Sequence, residues 1–164
     1  MSNMIEALLL DYGGVVVELQ PPHSRPPLDT SGNYDSTLPA LVTTSDARPR
    51  PEMAQLIASF RETNRPVGIV SNISVAQALI SRARGDYDPY DFAILSPEVG
   101  IRKPDPAIYQ LAIASFAGIA AEHILYVDDT PRHLVPAKAL GMQTLLAEHD
   151  VVMQLQRWIE ARRE

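Results

Sequence analysis

Apolar residues gather in short runs along this chain, and the runs stop at polar residues or glycines. Ile5 to Leu10 is followed by Asp11, Tyr12, Gly13 and Gly14. Val67 to Val70 stops at Ser71 and Asn72, Phe92 to Leu95 at Ser96, and Ile124 to Val127 at Asp128. Gln143 to Leu146, after Gly141, adds a fifth. Runs this short, apolar at successive positions, predict strands buried on both faces. Between them the period becomes helical. Pro51 to Asn64 sets Met53, Leu56, Ile57 and Phe60 on one face, with Pro51 suited to a first turn. Ile73 to Arg84, Pro106 to Ala117 and Pro131 to Leu140 read as three more helices. Asp105 and Thr130 stand where N-caps belong, and Gly141 stands past a helix end. Val151 to Arg163 puts Val152, Leu155 and Ile159 on one stripe beside Trp158, a closing helix.

Strands that alternate with helices imply right-handed βαβ units. The expected fold is α/β, a three-layer sandwich with a mostly parallel five-stranded sheet and helices on both faces. Such sheets bind ligands beyond the carboxyl ends of their strands. That rule singles out Asp11, Ser71, Ser96 and Asp128. Residues 19–50 follow neither period. They hold Pro21, Pro22, Pro26, Pro27, Pro39 and Pro49 among many Ser, Thr and Asp. This stretch reads as a flap or degenerate cap inserted into the core, or else as a solvated surface loop.

Composition narrows the picture little. A chain of 164 residues suits one domain, 1–164, around a single core. With 46% hydrophobic and 21% charged residues it is ordinary globular protein. No apolar run has the length of a membrane span, and Met1 to Leu10 lacks the marks of a signal peptide. The absence of cysteine excludes disulfides and thiolate metal sites and fits a cytoplasmic protein. A net charge of −6 with no basic stripe argues against nucleic acid as a partner.

Four segments carry the chemistry: LLLDYGGVVV, GIVSN, GIRKPDPAIY and ILYVDDTP. In this order, each at a strand end or helix start, they resemble the four sequence motifs of the haloacid-dehalogenase-like hydrolase superfamily. The resemblance covers the chain outside the 19–50 insert and implies that family's Rossmann-like core. It makes Asp11 the nucleophile, a carboxylate that attacks phosphorus and forms an aspartyl-phosphate for water to hydrolyse. It makes Asp11, Asp128 and the Gly13 carbonyl the protein ligands of a Mg²⁺ ion, an all-oxygen set. Asp129 becomes the second acid, orienting metal-bound water or the lysine. Ser71 becomes the hydroxyl that binds the transferring phosphoryl group. The Asn72 amide joins it, because it precedes a helix whose start offers free N–H groups, and Gly13 and Gly14 are counted with the substrate-binding residues. Lys103 becomes the cation that stabilises phosphate and nucleophile, and Arg102 lies outside direct contact. Taken singly these residues have plainer readings: turn caps for Asp11 and Asp128, a helix cap for Ser71, an exposed loop lysine for Lys103. His23, His123, His133 and His149 share no ligand spacing and read as surface or loop residues, and Tyr12 reads as packing locally.

Two departures matter. Phosphatases of this family carry an acid two residues after the nucleophile, and here that position is Gly13, which has no proton to give. The insert is also too short and irregular for the usual helical cap, so the site is expected to be open, or covered by the insert or by a second subunit in a homodimer. The expected activity is that of a Mg²⁺-dependent phosphohydrolase acting on a small phosphorylated substrate. The alternatives are a metal-independent haloacid-dehalogenase-type hydrolase and a non-catalytic phosphate-binding protein.

Overall fold

A computed structural model describes residues 4–19 and 47–161. Five parallel strands form its sheet: β1 (Ala7–Leu10), β4 (Val67–Ser71), β5 (Phe92–Leu95), β6 (Ile124–Asp128) and β7 (Gln143–Leu146), in the order β5-β4-β1-β6-β7. All five expected strands are present, and the sheet is parallel as expected. β1 lies in the middle. The chain builds outward through β4 and β5, then returns across β1 to β6 and β7. That return makes the β1–β6 gap the topological switch point, where open α/β sheets hold their ligands.

Strand alternation explains the two layers of core. Leu8 and Leu10 of β1 face one side, with Val67, Ile69, Leu125 and Val127. There they meet Met53, Leu56, Ile57 and Phe60 of α1 (Pro51–Arg61) and Val151, Leu155 and Ile159 of α6 (Val151–Glu160). Ala7 and Leu9 face the other side, with Val70, Ile94, Ile124 and Tyr126. There they meet Ile108, Tyr109 and Ala112 of α4 (Pro106–Ser115) and Ala137 of α5 (Pro131–Ala139). A strand's period of two therefore feeds both helical layers at once. No helix among the described residues is long and apolar enough to cross a membrane.

Helix ends follow from local chemistry. α2 (Val75–Arg84) starts with a reciprocal Ser74–Gln77 capping box and stops at Gly85 in the left-handed region. Asp105 caps α4 by accepting from the Ala107 amide, as its sequence position suggests. Thr130 stands at the N-cap of α5, but its hydroxyl makes no cap bond and donates to Asp129 instead, at 3.1 Å. Four short elements lie outside the expected set, one of them the 3₁₀ turn Ala121–His123. α3 is the four-residue turn Ser96–Val99. β2 (Val17–Leu19) and β3 (Ala47–Pro49) pair antiparallel, so the two ends of the 19–50 insert carry strand structure where none was expected. The interior of the insert, His23 included, lies outside the described residues.

Candidate active site

The sheet sets the nucleophile and the acidic pair at one level. β1 and β6 run in register with Leu10 opposite Val127, and the Asp11 amide donates to the Val127 carbonyl at 2.9 Å. Asp11 and Asp128 thus leave adjacent strands side by side. Asp11 is 9% exposed and Asp128 is fully buried. Gly13 and Gly14 turn the chain back just beyond Asp11, and the amide of Gly14, a residue expected to bind substrate, is instead bonded to the Val17 carbonyl at 2.8 Å. Gly14 has a φ of +83°, and a Cβ there would come within 2.2 Å of Asp129 Oδ2. The left-handed backbone and the close approach of that carboxylate both demand glycine. They also show that Asp129 faces the nucleophile loop.

Lys103 arrives from the opposite side of the crevice, on the loop that leads into α4. Its ammonium is buried between two carboxylates, 3.0 Å from Asp11 Oδ1 and 2.7 Å from Asp128 Oδ2. Sequence reasoning allowed an exposed loop lysine, and the structure excludes it. The loop is held by Asn72, whose side chain accepts from the Lys103 amide and donates to the Lys103 carbonyl, each at 2.8 Å. Asn72, expected to offer its backbone amide, also acts through its side chain as a bidentate clamp. Ser71 ends β4 beside it, buried.

Asp128 gathers four donors. Oδ1 accepts from the Thr130 amide at 2.8 Å, and Oδ2 accepts from the Lys103 ammonium and the Tyr126 hydroxyl. His133 Nδ1 lies 3.2 Å from Oδ1 and 3.1 Å from Oδ2. His133 is 7% exposed, which corrects the expectation that all four histidines lie at the surface or in loops. His123, partly exposed, pairs with Glu6, and His149 is exposed. The lysine is gripped by Asp128, where the resemblance offered that role to Asp129. Tyr12 pairs edge-to-face with Tyr87 at 5.0 Å, a contact far along the chain rather than a local one.

These contacts set the electrostatics. Burial is the largest influence on Asp11; it and the nearby Asp128 and Asp129 carboxylates outweigh the pull of Lys103 and push the Asp11 carboxyl up to about 7. Burial opposes the Asp128 charge as well, yet Lys103 and His133 prevail and hold its carboxyl below the usual carboxylate range. Burial likewise opposes the Lys103 charge, and Asp11 and Asp128 raise it above the ordinary lysine value. Burial and Asp128 keep Tyr126 a phenol, and therefore a donor. Asp11, Asp128 and Asp129 each bring a carboxylate oxygen within 4.8 Å of the others. Three acids against one ammonium leave an excess of negative charge, and every donor is oxygen. That set fits a hard divalent cation such as Mg²⁺.

Two contributors were missed from sequence, His133 and Tyr126. A signal existed for each. His133 and Ala137 stand four apart on the buried side of α5, and Tyr126 stands two before Asp128 on the same face of β6.

Known proteins resemble this chain in sequence and fold. A phosphatase of Mycobacterium tuberculosis (strain CDC 1551 / Oshkosh) is 33% identical over 106 residues, which span 63% of this chain and 45% of the relative. The chain spans less than half the length of curated relatives such as this one. A HAD-like family hydrolase of Porphyromonas gingivalis superposes with a TM-score of 0.71 at 18% identity, covering 98% of this chain and 99% of the other. A HAD family enzyme of Bacteroides thetaiotaomicron, solved with magnesium and inorganic phosphate, superposes with a TM-score of 0.68 at 19% identity, covering 89% and 96%. The family model of haloacid dehalogenase-like hydrolases matches residues 34–141, well over half of the sequence. With its ordered motifs gathered at one sheet edge, the chain belongs to the haloacid dehalogenase-like hydrolase family.

Proposed function

We propose that this chain is a Mg²⁺-dependent phosphohydrolase that works through a phosphorylated Asp11. The observation that carries the reading is the buried Lys103 ammonium, set 3.0 Å from Asp11 and 2.7 Å from Asp128 beside a third acid, Asp129. One Asp11 oxygen attacks phosphorus in line with the leaving oxygen; the phosphorus–oxygen bond to the leaving group breaks, and water later cleaves the acyl-phosphate. Lys103 steadies the attacking carboxylate and the phosphoryl oxygens, and Ser71 and the Asn72 and Gly13 amides complete the phosphoryl cradle. Mg²⁺, when bound, offsets the repulsion between the carboxylate and the phosphate. Its protein ligands on this reading are Asp11, the Gly13 carbonyl and Asp129. The four donors already on Asp128 favour Asp129 over Asp128 in that role. The leaving oxygen takes no proton from position 13, a glycine. Small phosphorylated substrates with weakly basic leaving groups, acyl phosphates or sugar 1-phosphates, suit such a site best. We place the chemistry in a single core domain, 1–164, with a homodimer as one means of covering the open site.

Phosphate release from acetyl phosphate and glucose 1-phosphate tests this. Turnover should need Mg²⁺ and vanish in Asp11→Asn. Metal-independent turnover, or an Asp11→Asn variant as active as the parent, would sink the proposal. Halide release from 2-haloacids in the presence of a chelator would instead favour the dehalogenase reading.

A further inference from the structure

Asp128 accepts from four donors, and a carboxylate has about four lone-pair positions to offer. Three of these donors are tied to the site by necessity. Thr130 is a backbone amide two residues on, Tyr126 precedes Asp128 on the same strand face, and Lys103 is the catalytic cation. His133 is different. It comes from the first turn of α5, is 7% exposed, and reaches both oxygens of Asp128 with Nδ1. An ionised carboxylate only accepts, so Nδ1 carries the proton. The other ring nitrogen, Nε2, is buried without a partner among the described residues. The imidazole is thus a strut that donates through Nδ1, with its far nitrogen closed to solvent.

We propose that His133 is a positioning residue: its Nδ1–H bond fixes the plane of Asp128, so that Asp128 grips Lys103 and holds the ammonium against Asp11. Without that bond Asp128 keeps three donors but loses the one that reaches both of its oxygens, and its plane is less firmly fixed. One of its oxygens then turns toward the Asp11–Asp129 side, and Lys103 loses its deeper anchor. The consequence for turnover rests on the phosphohydrolase reading above. The consequence for Lys103 does not.

The test therefore starts on metal-free protein. The chain has two lysines, Lys103 and Lys138, and of these only Lys103 is buried. With lysine labelled at ¹⁵Nζ, the parent should show one slowly exchanging ammonium signal, from Lys103. His133→Leu, which keeps bulk and removes the donor, should lose it to water exchange. His133→Asn, whose carboxamide N–H replaces Nδ1–H, should keep it. In Mg²⁺-loaded protein the same pair should split kinetically: kcat falls about 10- to 100-fold in His133→Leu with KM little changed, and His133→Asn recovers most of the loss. The proposal is overturned if His133→Leu retains the protected signal, or if His133→Asn loses it as completely as His133→Leu. If the parent fails to hydrolyse any phosphate while the two variants differ as described in the metal-free signal, the phosphohydrolase reading fails and the strut stands.

Discussion

In the metal-free folded chain Asp11 should make stability fall as pH rises. Its carboxyl titrates at about 7 in the folded state and near 3.8 when unfolded. Between those values the folded protein holds a proton that the unfolded chain has released, so each step up in pH favours unfolding. The interval is a little over three pH units, and at roughly 1.4 kcal/mol per unit the full loss is about 4 kcal/mol. The other two charges do not blur the window. Asp128 is held low, so its contribution is complete above 3.8 and is lost only in stronger acid. Lys103 is raised, so its contribution is complete below 10.5 and is lost only in alkali. Asp11→Asn removes the titration and keeps an oxygen for the Tyr12 amide that Asp11 Oδ1 accepts at 2.8 Å. Allowing for the lost contact with Lys103, the variant should exceed the parent by about 2 to 4 kcal/mol near pH 8, or on the order of 10 °C in Tm. Urea unfolding followed by circular dichroism in EDTA, at several values between about pH 5 and 8.5, measures both curves. Added Mg²⁺ should narrow the gap near pH 8, because it binds the folded, ionised parent and binds the variant weakly. A parent whose stability is flat or rises across this range would refute the reasoning. So would an Asp11→Asn variant less stable than the parent near pH 8.

Gly14→Ala should cost about 2 kcal/mol of stability from its left-handed φ and should weaken Mg²⁺ binding at least about tenfold, because the new methyl displaces Asp129; denaturation and calorimetry read the two effects. Asn72→Ala releases both hydrogen bonds on the Lys103 backbone, and kcat should drop by about tenfold with stability lower by about 1 to 3 kcal/mol. Unchanged kinetics would show that the loop is held by other contacts. Tyr126→Phe deletes one donor to Asp128 and leaves the ring against Tyr109, so the expected loss is about 1 to 2 kcal/mol in thermal unfolding with little change in core packing.

The sheet could be read from sequence because each strand is a short apolar run ending at a polar residue. The sites could be read because those ending residues are Asp11, Ser71 and Asp128. What escaped was set by tertiary contact. Lys103 is legible as a site residue through its motif, but its burial, set where its loop meets β1 and β6, is not. His133 has no ligand spacing with another histidine, and its partner is a single acid five positions back. Thr130 looks like a helix cap, and its hydroxyl is drawn off by Asp129. β2 and β3 are three residues each, too short for any period to show, and they are joined only by pairing across the insert.

That pairing has a consequence for how the molecule can change. Val17 sits opposite Pro49 and Leu19 opposite Ala47, so the chain departs from the core and returns to it at one stapled doorway, a few residues past the nucleophile. A segment whose two ends are already held together can lengthen at little thermodynamic expense, since doubling such a loop costs only about 0.6 kcal/mol in closure entropy. The doorway thus uncouples the size of whatever is spliced between residues 19 and 47 from the placement of Asp11, Lys103 and Asp128. Exchanging that segment for one of another length becomes a modular change that leaves the groups around Asp11 in place.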